Sequence, residues 1–445
     1  MTPPHRILTP KDILLEDLPD VTPLSYADYL KTGGYQGIER AVRVLKPSGV
    51  LDAVRASGLR GRGGGGFPTA RKWEMVLSQK GDLRYLCCNG AEDEPGTFKD
   101  RYLLRSNPHQ LIEGAILAAF AIGAKEGYLY INGQYKEEIQ FLQKALDDAG
   151  AFGHLDHAGH HSEAGVTLHI APSPGTYIAG EETALLSVIE GGAAQPKQKP
   201  PYYPAVHGLF GKPTVVNNVE TICNLPHIIL HGADWYKAIH TGSSNGHGYA
   251  TGTMIFTLTG DVKRPGLYEL PIGTSLRELI EQVGGGYAAP HGSGPFAAPV
   301  GAQAVFPGGP SNAILRGDQI DIPMDFETLK AAGSGLGTGA VIVVSEKSCI
   351  VKTAITYTGF FARESCGQCP PCILGLENLT KILKKIDVGQ GCEADLNEIK
   401  LLCAMIKGKG YCYLLTGAVL ALESILLHFR ETFVRHIHEA KCSGS

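Results

Sequence analysis

The chain has 445 residues, of which 43% are apolar and 19% charged; this suits a folded globular protein and excludes a disordered one. That length exceeds one ordinary core and implies roughly two to four domains. A net charge of −4 leaves no electrostatic footprint for nucleic acid.

Taken in chain order, the opening MTPPHRILTPKD lacks the charged-then-apolar pattern of a secretory signal, so secretion is not expected. GLRGRGGGGFPTARKW (58–73) contains Gly-x-Gly-x-x-Gly at Gly61, Gly63 and Gly66. A dinucleotide fingerprint of the usual kind would follow a buried strand, whereas LDAVRASGLR before it reads as a helix and FPTARKWE opens another. The loop still suits an anion. Glycines let backbone N–H groups approach a phosphate, a helix N-terminus follows, and Arg60, Arg62 and Lys72 add positive charge. A flexible linker is the alternative.

RYLCCN (84–89), GYLYIN (127–132) and GVTLHIA (165–171) read as strands, and residues 110–125 and 136–150 as helices. That alternation predicts an α/β layer with a largely parallel sheet. RYLCCN runs straight into NGAEDEPGTFKD, placing Glu92, Asp93 and Glu94 at a strand's carboxyl end, where α/β proteins tend to hold ligands. The apolar run 111–124 contains Glu113 and is too short to span a membrane; a second run, 413–429, contains Glu423 and has the period of a buried amphipathic helix. No membrane insertion is expected. His154, His157, His160 and His161 form a cluster that reads as a polar surface loop, with a metal site as the alternative.

YIAGEETALL places Glu181 and Glu182 at a glycine-to-helix junction, where paired acids also simply answer the helix dipole. Asn217 and Asn218 in GKPTVVNNVET are either turn formers or amides for a heterocycle's edge. Together a phosphate-friendly loop, acids for ribose hydroxyls and amides fit a dinucleotide or flavin site. Acids beside a ribose favour NAD(H) over NADP(H). No nucleophile–base pair stands out, and hydride chemistry needs none because cofactors carry it.

A linker-like stretch (241–252) precedes MIFTLTG and GLYELP, which read as a hairpin in a small α+β unit. A Gly/Pro-rich region (284–311) leads to two further strands, including AVIVVS (340–345). From 350 to 440 the pattern is helical. The expected domains are 1–240, 250–335 and 345–440, with no internal repeat. The 11 cysteines are odd in number and lack a secretory context, so clustered ones point to metal. ESCGQCPPC (364–372) spaces Cys366, Cys369 and Cys372 two residues apart, three ligands of a set that wants four. The motif alone does not separate tetrahedral zinc from a cubane iron–sulfur cluster.

In order along nearly the whole chain, GLRGRGGGGFPTARKW, CNGAEDEPGTFKDR, YIAGEETALLSVIEG, KPPYYPAVHGLFGKPTVVNNVET, GDVKRPGLYELPIGTSLRELI and ESCGQCPPC resemble the NADH-binding flavoprotein subunit of respiratory complex I. The same family includes the diaphorase subunits of NAD-dependent formate dehydrogenases and NAD-linked hydrogenases. The resemblance implies a Rossmann-like α/β domain for FMN and NADH, a ubiquitin-like β-grasp domain of the soluble-ligand-binding type, and a C-terminal α-helical bundle carrying a [4Fe-4S] cluster. Carried over by position, it puts FMN near Gly61, Arg62, Gly63, Gly64, Lys72, Asn89, Gly180, Glu181, Asn217, Asn218 and Thr221. It stacks the NADH adenine on Phe67, with Glu94, Glu182 and Lys199 nearby.

The implied cluster ligands are Cys366, Cys369, Cys372 and Cys412. Cys403 falls inside a helical pattern, whereas Cys412 follows the Gly408–Gly410 break in a loop free to aim a thiolate. The implied activity is NADH oxidation, or NAD+ reduction, by hydride exchange with FMN and one-electron transfer through the cluster. Implied partners are a separate thioredoxin-like [2Fe-2S] subunit and a larger iron–sulfur subunit, in the cytoplasm or at a membrane complex's cytoplasmic face.

Three positions depart from the family pattern. Where the family reads Asn-Ala-Asp-Glu this chain has Asn89-Gly90-Ala91-Glu92, so a flavin-holding carboxylate is missing and Asp93 is the candidate to replace it. Met75 stands where an aromatic usually helps sandwich adenine, and either Tyr202 or Tyr203 takes the place of a family Phe. The alternative function is a cluster-bearing scaffold whose altered flavin site no longer uses NADH.

Overall fold

The computed structural model describes residues 22–156, 161–240, 251–288 and 301–439. His157, His160 and Cys442, the start of the chain, most of the 241–252 stretch and part of the 284–311 region lie outside these.

The first layer is a four-stranded parallel sheet in the order β3-β2-β1-β4, with β1 at Tyr85–Gly90, β2 at Glu126–Asn132, β3 at Thr167–Ser173 and β4 at Thr214–Asn218. The chain runs outward from β1 through β2 to β3, then returns to lie on the other side of β1. The strand order therefore reverses between β1 and β4, which opens a crevice at their carboxyl ends. Register sharpens this, because Asn89 pairs with Asn218 and Cys88 with Asn217.

The Pro108–Ile122 helix fills the core, with 14 of its 15 residues buried. Its all-round apolarity reflects burial in protein, and among the described residues no helix is long and apolar enough to cross a membrane. Glu113 is the carboxylate inside it. Its carboxylate accepts the Tyr29 hydroxyl at 2.5 Å and the amides of Tyr35 and Gly37 at 2.7 and 3.0 Å. Burial nevertheless pushes its pKa up to about 7 from an ordinary 4.5, against these hydrogen bonds. A carboxyl that holds its proton longer when folded stabilises the native state below its unfolded pKa, and that contribution is lost as pH rises toward the folded value. Glu113→Gln is therefore expected to flatten the fall in stability between about pH 4.5 and pH 7, by on the order of 3 kcal/mol at most. Urea midpoints measured across that range give the slope; equal slopes in the two proteins count against the assignment.

The second layer is a five-stranded sheet ordered β6-β5-β9-β7-β8. Thr253–Gly260 (β5) and Gly266–Pro271 (β6) form the hairpin, and Ala340–Ser345 (β9) pairs parallel to β5. Ala302–Phe306 (β7) and the short Leu315–Arg316 (β8) complete it, three strands after the hairpin where the sequence suggested two. Four helices follow, Ile350–Arg363, Pro370–Asp387, Glu393–Ile406 and Leu414–Glu439, packed around one apolar cluster.

The units interlock at the glycine-rich loop. Arg62 is wholly buried, and its guanidinium donates to the Tyr236 hydroxyl and the carbonyls of Thr251 and Thr253 at 3.2, 3.1 and 3.0 Å. Arg60 pairs with Glu327 and lies 4.3 Å over the Phe326 ring. Gly66 has φ +57°, and a Cβ there would meet that ring at 2.4 Å. On the other side, the Tyr177 amide donates to Glu364 of the helical unit at 2.9 Å, while its ring sits edge-on to Phe360 and Phe361.

Candidate functional site

A two-lobed cleft opens at the carboxyl ends of β1 and β4. The larger lobe has a volume of about 520 Å³ and the smaller about 260 Å³, and both are lined by Gly63, Asn89, Gly180 and Asn218. The first volume alone falls in the range of cofactor pockets.

Gly61, Phe67, Lys72, Glu182 and Asn217 line the larger lobe with Gly65, Gly66, Met75 and Tyr203. The loop presses so close to β4 that a Cβ at Gly63 would come within 2.9 Å of Asn218 Cβ. Trp73 and Lys72, on the Thr69–Leu77 helix, fasten to that strand: Trp73 Nε1 donates to Asn217 at 2.9 Å and Lys72 Nζ to the Val216 carbonyl at 2.9 Å. Glu182 sits 3.6 Å from Lys72 and 2.7 Å from Lys199. Burial pushes its carboxyl up, but the two lysines outweigh this and hold it below the usual range. Lys199 also bridges to Glu181 at 2.7 Å.

The smaller lobe is walled by the acidic turn. Glu92 does not offer its carboxylate there as the sequence suggested, because its two oxygens accept the Asp100 and Arg101 amides at 2.8 and 2.9 Å. It serves the start of the Lys99–Ser106 helix, and burial with the Asp100 charge pushes its pKa up to about 8. Glu94 likewise turns to the Ser311 amide, 3.3 Å away, and the Tyr177 hydroxyl. Asp93 differs: one oxygen accepts from Asn132 at 2.8 Å, and the other is buried without a hydrogen-bond partner, beside Ala91 at the cleft. That orphaned oxygen calls for a donor, as a polyhydroxyl ligand would supply.

Beneath the cleft lies a buried ion network. Lys99 contacts Asp100 at 2.7 Å and Glu220 at 2.9 Å, and donates to Asn218 at 3.2 Å. Burial pulls the ammonium's pKa down, but Asp100, Glu220 and Glu92 outweigh it and raise the value. Asn218 also donates to Asp100 at 2.5 Å and the Asn89 carbonyl at 3.2 Å, so the amide edge is held by fixed charge.

Five expected site residues do not line either lobe. Arg62 offers only its backbone, whose amide donates to Thr221 Oγ1 at 2.8 Å, while its charge points into the joint between units. Thr221 thereby positions the loop. Gly64 lies within the loop at φ +115°, and Lys199 stands behind the two glutamates. Tyr202 turns toward His207 and Lys197, leaving Tyr203 at the cleft. Thr338 and Tyr413 were not foreseen; they arrive from distant segments and carry no local motif. Of the described histidines, His154 stacks on Tyr35 at 4.0 Å and bonds Tyr26, so it packs instead of forming a free surface loop.

Cys366, Cys369, Cys372 and Cys412 line one small enclosed pocket. Cys369 precedes the Pro370–Asp387 helix and Cys372 lies in its first turn, while Cys412 comes from the loop before the Leu414–Glu439 helix. The Tyr411 amide points at Cys369 Sγ from 3.4 Å, Gln368 Nε2 at Cys366 Sγ from 3.4 Å, and Ser365 Oγ at Cys372 Sγ from 3.2 Å. Burial pushes the Cys412 thiol up to about 12, with Glu181 and the neighbouring thiols adding to it. That sulfur ionises only against a cation. An all-thiolate set ringed by donors fits an iron–sulfur cluster, whose sulfurs accept such bonds. Cys403 is fully buried in the bundle core, away from this pocket. Cys412, Ile178 and Leu414 line both the thiol pocket and the smaller lobe of the cleft.

Three family signatures match: the Nuo51 FMN-binding domain at 54–227, the SLBB domain at 255–295 and the NADH-ubiquinone oxidoreductase-F iron-sulfur binding region at 352–436. The chain is 43% identical over 426 residues to the F 2 component of NADH-quinone oxidoreductase from Rhizobium meliloti (strain 1021), covering 96% of this chain and 97% of that protein. It is 39% identical to the HndC component of the NADP-reducing hydrogenase of Solidesulfovibrio fructosivorans, over 95% of this chain and 82% of that one. Among solved structures, an NAD+-reducing [NiFe]-hydrogenase in the H2-reduced state matches with a TM-score of 0.80 and 34% identity, covering 94% of this chain and 67% of that one.

Proposed function

We propose, from the premise that the chain belongs to the F-type family of NADH-quinone oxidoreductase components, how its own residues carry out the family's electron transfer. The chain is an NADH-dependent oxidoreductase subunit that carries FMN and a [4Fe-4S] cluster. FMN supplies hydride acceptance and one-electron release, and the cluster supplies the exit. The observation that carries the reading is the shared wall: a cofactor-sized cleft and a four-cysteine pocket meet at Cys412. A scaffold with a lost flavin site is not retained, since the FMN-binding region is matched and the cleft keeps its glycine loop and amides.

Residue roles follow from what each group has free. The backbone of Gly61 to Gly66 and the Lys72 ammonium would hold the flavin phosphate. Asn89 and Asn217 would meet the ring edge, with Asn218 held beside them by Lys99, Asp100 and the Asn89 carbonyl. Phe67, with Met75 and Tyr203, would face the nicotinamide nucleotide, and Cys366, Cys369, Cys372 and Cys412 would hold the cluster. Glu182 is the acid left at the larger lobe for a ribose, which supports NADH; Glu92 and Glu94 are spent on the fold. Partner subunits would be the thioredoxin-like [2Fe-2S] module and a larger iron–sulfur subunit, in the cytoplasm.

Acid release of the chromophore from anaerobically purified complex should yield FMN, and NADH should bleach it. Absence of flavin sinks the reading; FMN without NADH bleaching replaces the electron donor. Asp93 takes over the flavin contact that Ala91 has lost. Asp93→Asn should loosen FMN about ten-fold, and Ala91→Asp should tighten it by a similar factor. Flavin fluorescence on dilution reads both, and unchanged retention in the pair counts against this substitution of roles.

A further inference from the structure

We propose that Cys349 is an activated thiol, a site of reversible oxidation by hydrogen peroxide, assembled with His436 and Asp387 at the end of the helical bundle remote from the cluster. Cys349 is the N-cap of the 14-residue Ile350–Arg363 helix, and its Sγ accepts the Lys352 amide at 3.4 Å. The same sulfur lies 3.5 Å from His436 Nε2. On the far side of the imidazole, Nδ1 stands 3.6 Å from Asp387 Oδ1. His436 is 2% exposed, and its Nδ1 has no hydrogen-bond partner. Three helices thus converge as nucleophile, base and orienting carboxylate.

The ligand atoms of the three residues lie within 4.8 Å of one another, close enough for a metal. A metal takes one ring nitrogen, however, and here the sulfur and the carboxylate address opposite nitrogens. Relay geometry is the better match. Asp387, Lys352 and Arg435 are the charged groups around His436, and burial holds its pKa below the ordinary value, with the two cations adding to this and Asp387 opposing it. A neutral imidazole accepts the thiol proton. The helix N-terminus favours the resulting thiolate. Cys349 is only partly exposed, which suits a small electrophile.

The thiol gives its proton to His436, and the thiolate attacks one peroxide oxygen. An S–O bond forms as the O–O bond breaks, hydroxide leaves and collects the proton as water. Sulfur loses two electrons to the peroxide, leaving a sulfenic acid that an added thiol can reduce. Cys349 caps the start of a helix about 21 Å long, and Cys366 follows its far end, so this chemistry is separate from the electron exit.

Cys392 provides an internal control, being also a helix N-cap thiol, more exposed, and without a histidine in the metal-like group. Anaerobic holoprotein is alkylated with iodoacetamide across pH, and a second sample takes a brief equimolar peroxide pulse with dimedone; peptides are quantified by mass. Cys349 should react at least ~10-fold faster than Cys392 at neutral pH and carry the dimedone label. His436→Asn should slow it and move its pH midpoint upward. Because His436 is buried, Asp387→Asn, at a partly exposed position, gives an independent arm with a smaller shift the same way. Equal rates at the two cysteines, an unmoved midpoint in both variants, or stoichiometric zinc lost on Cys349→Ser overturns the proposal.

Discussion

Cys412→Ala should leave NADH bleaching of the flavin in place and cut electron delivery to any iron–sulfur partner by at least ~100-fold. Losing an outer hydrogen bond around a metal ligand typically costs about 10- to 100-fold in affinity, so losing the ligand itself costs more. Cys412 also lines both cavities, so its replacement acts where the thiol pocket meets the cleft. Cys403→Ala is the paired control. That thiol is buried among apolar neighbours, and its loss should cost about 1–3 kcal/mol of stability with full iron retained. Iron content and the ratio of flavin bleaching to partner reduction distinguish the two variants. A full complement of iron in Cys412→Ala, or its loss in Cys403→Ala, reverses the ligand assignment.

Lys99→Met should destabilise the fold by about 3–5 kcal/mol. The ammonium is 1% exposed and stands between Asp100 and Glu220. Removing it strands two carboxylates away from water, and stranded charge costs far more than the pair itself contributes. Asn218 loses a donor at the same time, so FMN retention should fall with stability. Lys99→Met combined with Glu220→Gln removes one of the stranded charges and should recover part of the loss. Denaturation midpoints of the two variants decide this; a single variant as stable as the parent refutes the network's role.

Much of this fold shows in patterning. The three strands before residue 175 and the two long helices between them follow from runs and periods that only a buried parallel layer satisfies. Thr214–Asn218 did not announce itself as a strand. It is five residues long, buried on both faces, and ends in two asparagines that read equally as a turn. Its pairing with β1 is what turns those asparagines into an edge of the cleft. Arg62 shows the opposite failure. Beside five glycines and a helix start its charge looked available, yet carbonyls some 190 residues away claim it. Glu92 and Glu94 do line the smaller lobe, but the direction of their oxygens was not legible, since an acid's free oxygens depend on which amides fold against it. Cys412 was legible because a glycine break separates a loop thiol from a helical one.

The joint around the glycine loop makes the nucleotide site a property of two units at once. Arg62, Arg60 and Gly66 are shaped by residues beyond position 250. A chain cut back to its sheet domain would release a guanidinium from two buried carbonyls, those of Thr251 and Thr253, and uncover the ring that limits Gly66. Cofactor loading is then expected to follow the docking of the second unit, and the boundary between the two is a poor place to divide the chain for a minimal flavoprotein.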